Sequence, residues 1–135
     1  MAKGGNLLAS TTGNSDVRFV IWRAVASDTA CATATGVSGD FEFPYTGTIT
    51  EIGAYNDTAG TTGTMVVDVH LGGTTIMTTD KLDIDTTEKT TRTAATAPTL
   101  TTTAITAGDI LTCDIDAIHT TPANGLTIRI GVRLD

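Results

Sequence analysis

A period of two runs through the hydrophobic positions of this chain, most cleanly near residues 126–134. There Leu126, Ile128, Ile130, Val132 and Leu134 form one series, and Thr127, Arg129, Gly131 and Arg133 the other. The same alternation governs residues 109–118, where Leu111, Cys113, Ile115 and Ala117 oppose Thr112, Asp114 and Asp116. Successive side chains of a strand point to opposite faces, so each segment predicts a strand with one buried face. Pro122, Ala123, Asn124 and Gly125 are turn residues, and the two segments are expected to form an antiparallel hairpin. Met65, Val67, Val69 and Leu71 predict another half-buried strand, with Val66, Asp68 and His70 on its other face. Gly72 and Gly73 suit a hairpin turn onto a return strand over residues 74–79, and residues 82–85 form a short alternating strand.

Residues 17–26 (VRFVIWRAVA) are nearly continuously apolar, the pattern of a strand covered on both faces, broken only by Arg18 and Arg23. That pattern places Phe19 and Trp22 in the core. Phe41 and Phe43 flank Glu42 and are expected to be buried, while Pro44 lacks an N–H and ends that strand or leaves it on an edge. Residues 48–56 predict a further strand. Residues 86–108 are rich in Thr and Ala, and so long a structureless connection is unusual in a compact domain. A short strand near residues 91–95 and a crossing segment near residues 99–103 are expected there. No long stretch has helical periodicity. Roughly eight short, turn-separated strands predict an all-β, two-sheet antiparallel sandwich. Jelly roll is the preferred topology. An immunoglobulin-like sandwich comes second, because the Cys…Trp…Cys spacing of antibody-type domains is missing.

Composition divides the chain into two parts. Residues 1–15 (MAKGGNLLASTTGNS) are small, polar and Gly-rich, and cannot bury enough apolar surface to fold alone. They are read either as a frayed terminus or as an extended arm lying on a neighbouring subunit. Residues 16–135 are read as one sandwich domain, and about a quarter of the whole chain is Thr, a β-branched residue suited to half-exposed strands. A net charge of −7 disfavours nucleic acid and anionic membranes as partners. Leu7, Leu8 and Ala9 make too short an apolar stretch for a signal peptide, so synthesis in the cytosol without export is expected. Cys31 and Cys113 lack any CxxC spacing and are read as reduced, buried thiols.

Candidate chemistry is sparse. Asp83 with Asp85, and Asp114 with Asp116, place paired carboxylates on single strand faces, where oxygen ligands for Ca²⁺ could collect. The simpler reading is the polar half of an amphipathic strand, and no metal or other cofactor is expected. His70 and His119 are far apart in sequence, offer no zinc spacing, and are read as surface histidines. Cys113 falls on an inferred core face, where a thiol is inert, and no GxSxG elbow or phosphate-cradling loop is present. No enzymatic activity is expected. Only 4% of residues are aromatic, with Tyr45 and Tyr55 the candidate exposed rings for a sugar site. Arg129 and Arg133 share an outward series, with Arg18 and Arg23 expected nearby, and Arg is enriched at interfaces.

Residues 41–134 resemble a small jelly-roll domain found in bacteriophage head-decoration (cement) proteins and in head- or tail-fibre proteins. The matching pieces are FPYTGTI (43–49), YNDTAGTTGTMVVDVHLGGTTI (55–76), IDTTEKTTRTAAT (84–96), AGDILTCDIDAI (107–118) and GLTIRIGVRL (125–134). The stretch from 41 to 134 spans about two-thirds of the chain. The resemblance carries no catalytic motif. It implies a virion structural protein on the capsid surface, with the major capsid protein and further copies of itself as partners. A homotrimer is expected first and a dimer second. The absence of a repetitive shaft favours decoration over a fibre, and the alternative is a receptor- or glycan-binding tip of a head or tail fibre. A structural protein of a phage-derived contractile device is a third reading. The expected interface residues are Lys3, Asn6, Leu7 and Leu8 in the arm, with Arg18, Arg23, Arg129 and Arg133.

Overall fold

A computed structural model describes residues 16–135. It is all-β, with two antiparallel sheets packed as a sandwich. Among the described residues nine strands follow in order: β1 (Val17–Ala30), β2 (Phe41–Glu42), β3 (Gly47–Tyr55), β4 (Met65–Leu71), β5 (Thr74–Thr75), β6 (Leu82–Ile84), β7 (Ala104–Ile105), β8 (Ile110–Ala117) and β9 (Asn124–Leu134). Sheet one has the order β1-β9-β3-β7. Sheet two has the order β2-β8-β4, and the far edge of β4 is shared by β5 at His70 and Leu71 and by β6 at Met65 to Val67. The expected Thr-rich return strand over residues 74–79 is thus only two residues long. Its turn forms as expected: Gly72 and Gly73 both have positive φ (58° and 88°), which L side chains resist and a tight hairpin needs.

The core lies between the sheets. Trp22 and Val20 of β1, Ile49 and Ile52 of β3, and Leu126, Ile128, Ile130 and Val132 of β9 face Met65, Val67 and Val69 of β4 and Leu111, Cys113 and Ile115 of β8. The alternation read in β8 and β9 is borne out, but their hairpin is not. A strand has two edges. Those of β9 are filled by β1 and β3, and those of β8 by β2 and β4. The two strands therefore sit in different sheets, and their apolar faces meet across the sandwich. Residues 118–123 cross its end, tied by paired backbone bonds between Thr61 and Thr121 and by Cys31 N–H donating to Ala123 O at 2.9 Å.

β1 corrects a second expectation. Val20, Trp22 and Ala24 are buried, but Val17, Phe19 and Ile21 stand 46%, 54% and 60% exposed. An edge strand covered on one face only produces this split, and Phe19 is not a core residue. Phe43 is fully buried, whereas Phe41 is half-buried and stacks on Trp22 with ring centroids 5.0 Å apart.

Residues 86–103 hold no strand. The segment expected as a strand at residues 91–95 is a 3₁₀ turn (Thr91–Thr93), capped by Thr90, whose hydroxyl accepts from Arg92 N–H. Threonine hydroxyls replace a ladder here. Thr91 Oγ1 accepts from Ala54 N–H at 3.1 Å, and Thr101 Oγ1 accepts from Thr78 N–H at 3.2 Å while donating to Ile76 O at 3.0 Å. Side chain to backbone bonds of this kind satisfy a loop without strand pairing. The segment then runs across from sheet two, where Thr101 N–H bonds Ile76 O, to sheet one, where β7 pairs with β3.

Candidate interaction surface

The outer face of sheet one gathers most of the apolar surface that the fold leaves open. Cross-strand register fixes its membership: Val17 is level with Arg133, Phe19 with Gly131, Ile21 with Arg129, and Arg23 with Thr127. On the far side of β9, Arg129 is level with Gly53, Gly131 with Glu51, and Thr127 with Tyr55. Four of the five exposed large hydrophobic residues among those described, Val17, Phe19, Ile21 and Tyr55, therefore share one sheet face. Gly131 makes this possible at its centre. A Cβ there would lie 2.9 Å from the Phe19 ring and from Glu51 Cγ, so only glycine lets Phe19 lean across β9.

Arginines rim this strip. Arg23 donates to both carboxylate oxygens of Asp57, at 2.6 and 3.5 Å. Arg129 Nε donates to Glu51 Oε1 at 3.3 Å, and Arg92 approaches the same oxygen at 3.9 Å. Arg133 is exposed, and among the described residues no carboxylate pairs with it. Arg18 is level with Val132 and so lies beside Arg133 in the fold, but on the opposite face. It falls in the inward series with Val20 and Trp22, but at the open end of the sandwich, where it is exposed and pairs with Asp16 at 3.4 Å. Arg23, Arg129 and Arg133 thus share the expected face and Arg18 does not. Lys3, Asn6, Leu7 and Leu8 lie outside the described residues.

Tyr55 is exposed as expected, but Val17, Phe19 and Ile21 were expected to be covered. The odd positions 17, 19, 21 and 23 read V-F-I-R, and Arg23 in that series is the sign that it meets solvent. Arg18 in the even series obscured it by making both faces look interrupted.

The outer face of sheet two carries a different cluster. Asp68 of β4 and Asp114 of β8 are directly opposed across the ladder, an unfavourable pairing unless answered. Lys81 Nζ answers it, lying 3.1 Å from Asp68 Oδ2 and 3.2 Å from Asp116 Oδ2. His70 bridges the others, with Nε2 3.5 Å from Asp68 and Nδ1 3.6 Å from Asp114. Thr75 Oγ1 donates to the second oxygen of Asp68. The hydrogen bond to Asp68 holds the Lys81 ammonium above its ordinary range, opposed by burial and reinforced by Asp116. Asp68 is only 3% exposed, so this outward position is covered by its partners and does not meet solvent.

The other acidic pair is also engaged. Asp85 accepts from Thr64 Oγ1 at 3.2 Å and from Ala95 N–H at 2.9 Å, clamping two loops. Burial raises the Asp83 carboxyl above its usual range, helped by Asp85 and Asp80. No group of three or more His, Cys, Asp or Glu among the described residues is placed to hold a metal ion. His119 corrects the surface assignment: it is 1% exposed, and Nε2 donates to Ile84 O at 3.0 Å. The ring packs against Gly60, where a Cβ would lie 2.3 Å from Nδ1. It ties the loops at that end of the sandwich.

Both cysteines are free and buried. Burial pushes the Cys113 thiol up to about 12, with Asp114, Asp68 and Asp116 adding to the effect, and raises Cys31 as well. An unfolded thiol ionises near 9.0. Between that value and about 12 the native state keeps protons the unfolded state has lost, so stability falls as pH rises through the window and is unaffected below it. Lys81 acts in the same direction above 10.5, as its raised pKa is overtaken. Accordingly, the urea midpoint should hold between about pH 7 and 8 and drop by about pH 10.5. Neither thiol should react with a disulfide reagent at about pH 8 until denaturant exposes both. A thiol reactive in the native state would contradict the packing.

No family model, curated protein or solved structure matches the chain.

Proposed function

We propose that this chain is a non-enzymatic structural protein of a bacteriophage virion, a decoration or cement protein with jelly-roll topology that binds the outer capsid surface at subunit junctions. The topology is supported by the pairing pattern. Strands β1 with β9, β2 with β8, β3 with β7, and β4 with β5 and β6 are antiparallel partners. Successive strand pairs alternate between the sheets, as in a long antiparallel ribbon wound into a double-sheet barrel.

The observation that carries the functional reading is the outer face of sheet one. Val17, Phe19, Ile21 and Tyr55 form an exposed apolar strip, rimmed by Arg23, Arg129 and Arg133, on a chain of net charge −7. Aromatic and Arg side chains are the types enriched where proteins meet. The action is mechanical: the sandwich sits over a junction between copies of the major capsid protein, and residues 1–15 reach a neighbouring subunit, adding backbone hydrogen bonds. Many such contacts on a symmetric shell sum through multivalency and resist internal pressure. A closed homo-oligomer, a trimer at a three-fold position or a dimer, matches the symmetry of such a lattice. The chain is made in the host cytosol and resides on the virion.

The test is co-sedimentation with undecorated heads. The full chain should co-sediment, and a variant lacking residues 2–15 should fold normally yet fail to bind. Equal binding by both would remove the arm from the account. Phe19 and Tyr55, two aromatic rings exposed on one face, favour a second reading as a glycan- or receptor-binding fibre tip. A protein that ignores heads but binds an arrayed glycan through those rings would replace the first reading by the second.

A further inference from the structure

We propose that β1 is the contact edge of a two-fold dimer, in which β1 of one copy pairs antiparallel with β1 of a second copy and the two four-stranded sheets merge into one. The inference concerns a second copy of this chain, and it stands whether or not a capsid is the further partner.

Among the described residues, β1 is an edge strand of 14 residues that pairs with β9 alone. Such an edge offers a row of free N–H and C=O groups, which proteins ordinarily blunt with short strands, Pro, Lys or bulges. The remaining edges here are blunted: β2, β5 and β7 are two residues long and β6 is three. β1 is not. Residues 17–23 contain no Pro, Gly or Lys and keep unbroken register with β9, while the bulge is confined to the part beyond Arg23. The same stretch carries Val17, Phe19 and Ile21, roughly half exposed, on its outward face.

A free strand edge is satisfied by another strand. Among the described residues the only long free edge is β1 itself, and a two-fold axis presents it antiparallel to its own copy. The register centred on Val20 sets Phe19 against the partner's Ile21 and Val17 against the partner's Arg23. Arg18 then lies opposite the partner's Trp22, so no like charges are opposed, and the apolar strips of both copies become one patch. A register centred on Arg23 would oppose two guanidinium groups, which is destabilising. Residues 17–23 span about 23 Å at ~3.3 Å per residue. An interface of that length is at the small end of the stable range, so dissociation in the micromolar range is expected.

Sedimentation equilibrium of the full chain at about 100 µM should give twice the 13.9 kDa of one chain. Phe19→Lys should weaken the dimer by roughly 30-fold or more, the mark of an interface hot spot, and leave the urea midpoint unchanged when it is read at a dilution where both chains are monomers. Ile110→Lys, an exposed position on sheet two, should leave the dimer intact. Mixed Phe19→Cys and Ile21→Cys chains should cross-link on oxidation far more than either alone. A monomer or trimer at that concentration would overturn the proposal, as would a dimer indifferent to Phe19→Lys. A dimer that forms only after residues 2–15 are removed would also overturn it, by assigning the edge to the chain's own N-terminal segment.

Discussion

Ile128→Ala is expected to lower the unfolding free energy by about 4 kcal/mol. Ile128 is fully buried on β9, the strand with neighbours on both sides in sheet one. It is level with Trp22 on β1 and Ala54 on β3, both themselves buried, and its side chain points at the opposite sheet. Truncation removes the transfer free energy of three carbons and leaves a cavity that two paired neighbours prevent from closing. The comparison residue is Ile21, on the other face of the same sheet and 60% exposed. Ile21→Ala should cost less than about 1 kcal/mol in the monomer. Urea unfolding reads both, with the midpoint moving and the slope unchanged. Equal losses at the two positions would mean that the apolar strip is covered within one chain.

Asp68→Ala should cost about 3 kcal/mol. Its carboxylate is nearly fully buried and satisfies Lys81, His70 and the Thr75 hydroxyl together. Removing it leaves Lys81 with Asp116 alone and takes away the partner that chiefly raises the lysine's pKa. The alkaline loss of stability attributed to Lys81 spans the gap between its unfolded and its raised folded pKa, so it should shrink in the variant. Asp116→Ala, at a carboxylate 40% exposed, should be nearly neutral, because exposed ion pairs contribute little. Asp68→Ala combined with Lys81→Met should recover much of the loss, since the unpaired ammonium goes with its partner. If the double variant were as unstable as the sum of the single ones, Lys81 would not be the group that makes Asp68 necessary.

The strands that face the core were legible wherever one series of positions was wholly apolar. Residues 65–71, 110–117 and 124–134 all lie in strands, with each expected inward series buried except its last member, Leu71, Ala117 or Leu134. Pairing was not legible in the same way. β8 and β9 each have a clean inner series, and alternation alone cannot tell two strands that share a ladder from two that face each other across a core. The stretch after residue 86 was opaque for another reason: Thr serves a strand by its β-branch and a loop by its hydroxyl, and here the hydroxyls of Thr91 and Thr101 bond backbone groups. The arginine rim was legible from residues 126–134. The part of the apolar strip on β1 was not, because a continuous apolar run looks the same whether its second face is covered by its own chain or left for another.

The most direct test of the proposed role is saturable binding of the full chain to undecorated phage heads, read by co-sedimentation. Binding should saturate at a fixed ratio of this chain to capsid subunits, and heads should survive heating or osmotic shock better once decorated. A chain left in the supernatant at every concentration, with head stability unchanged, would contradict that role.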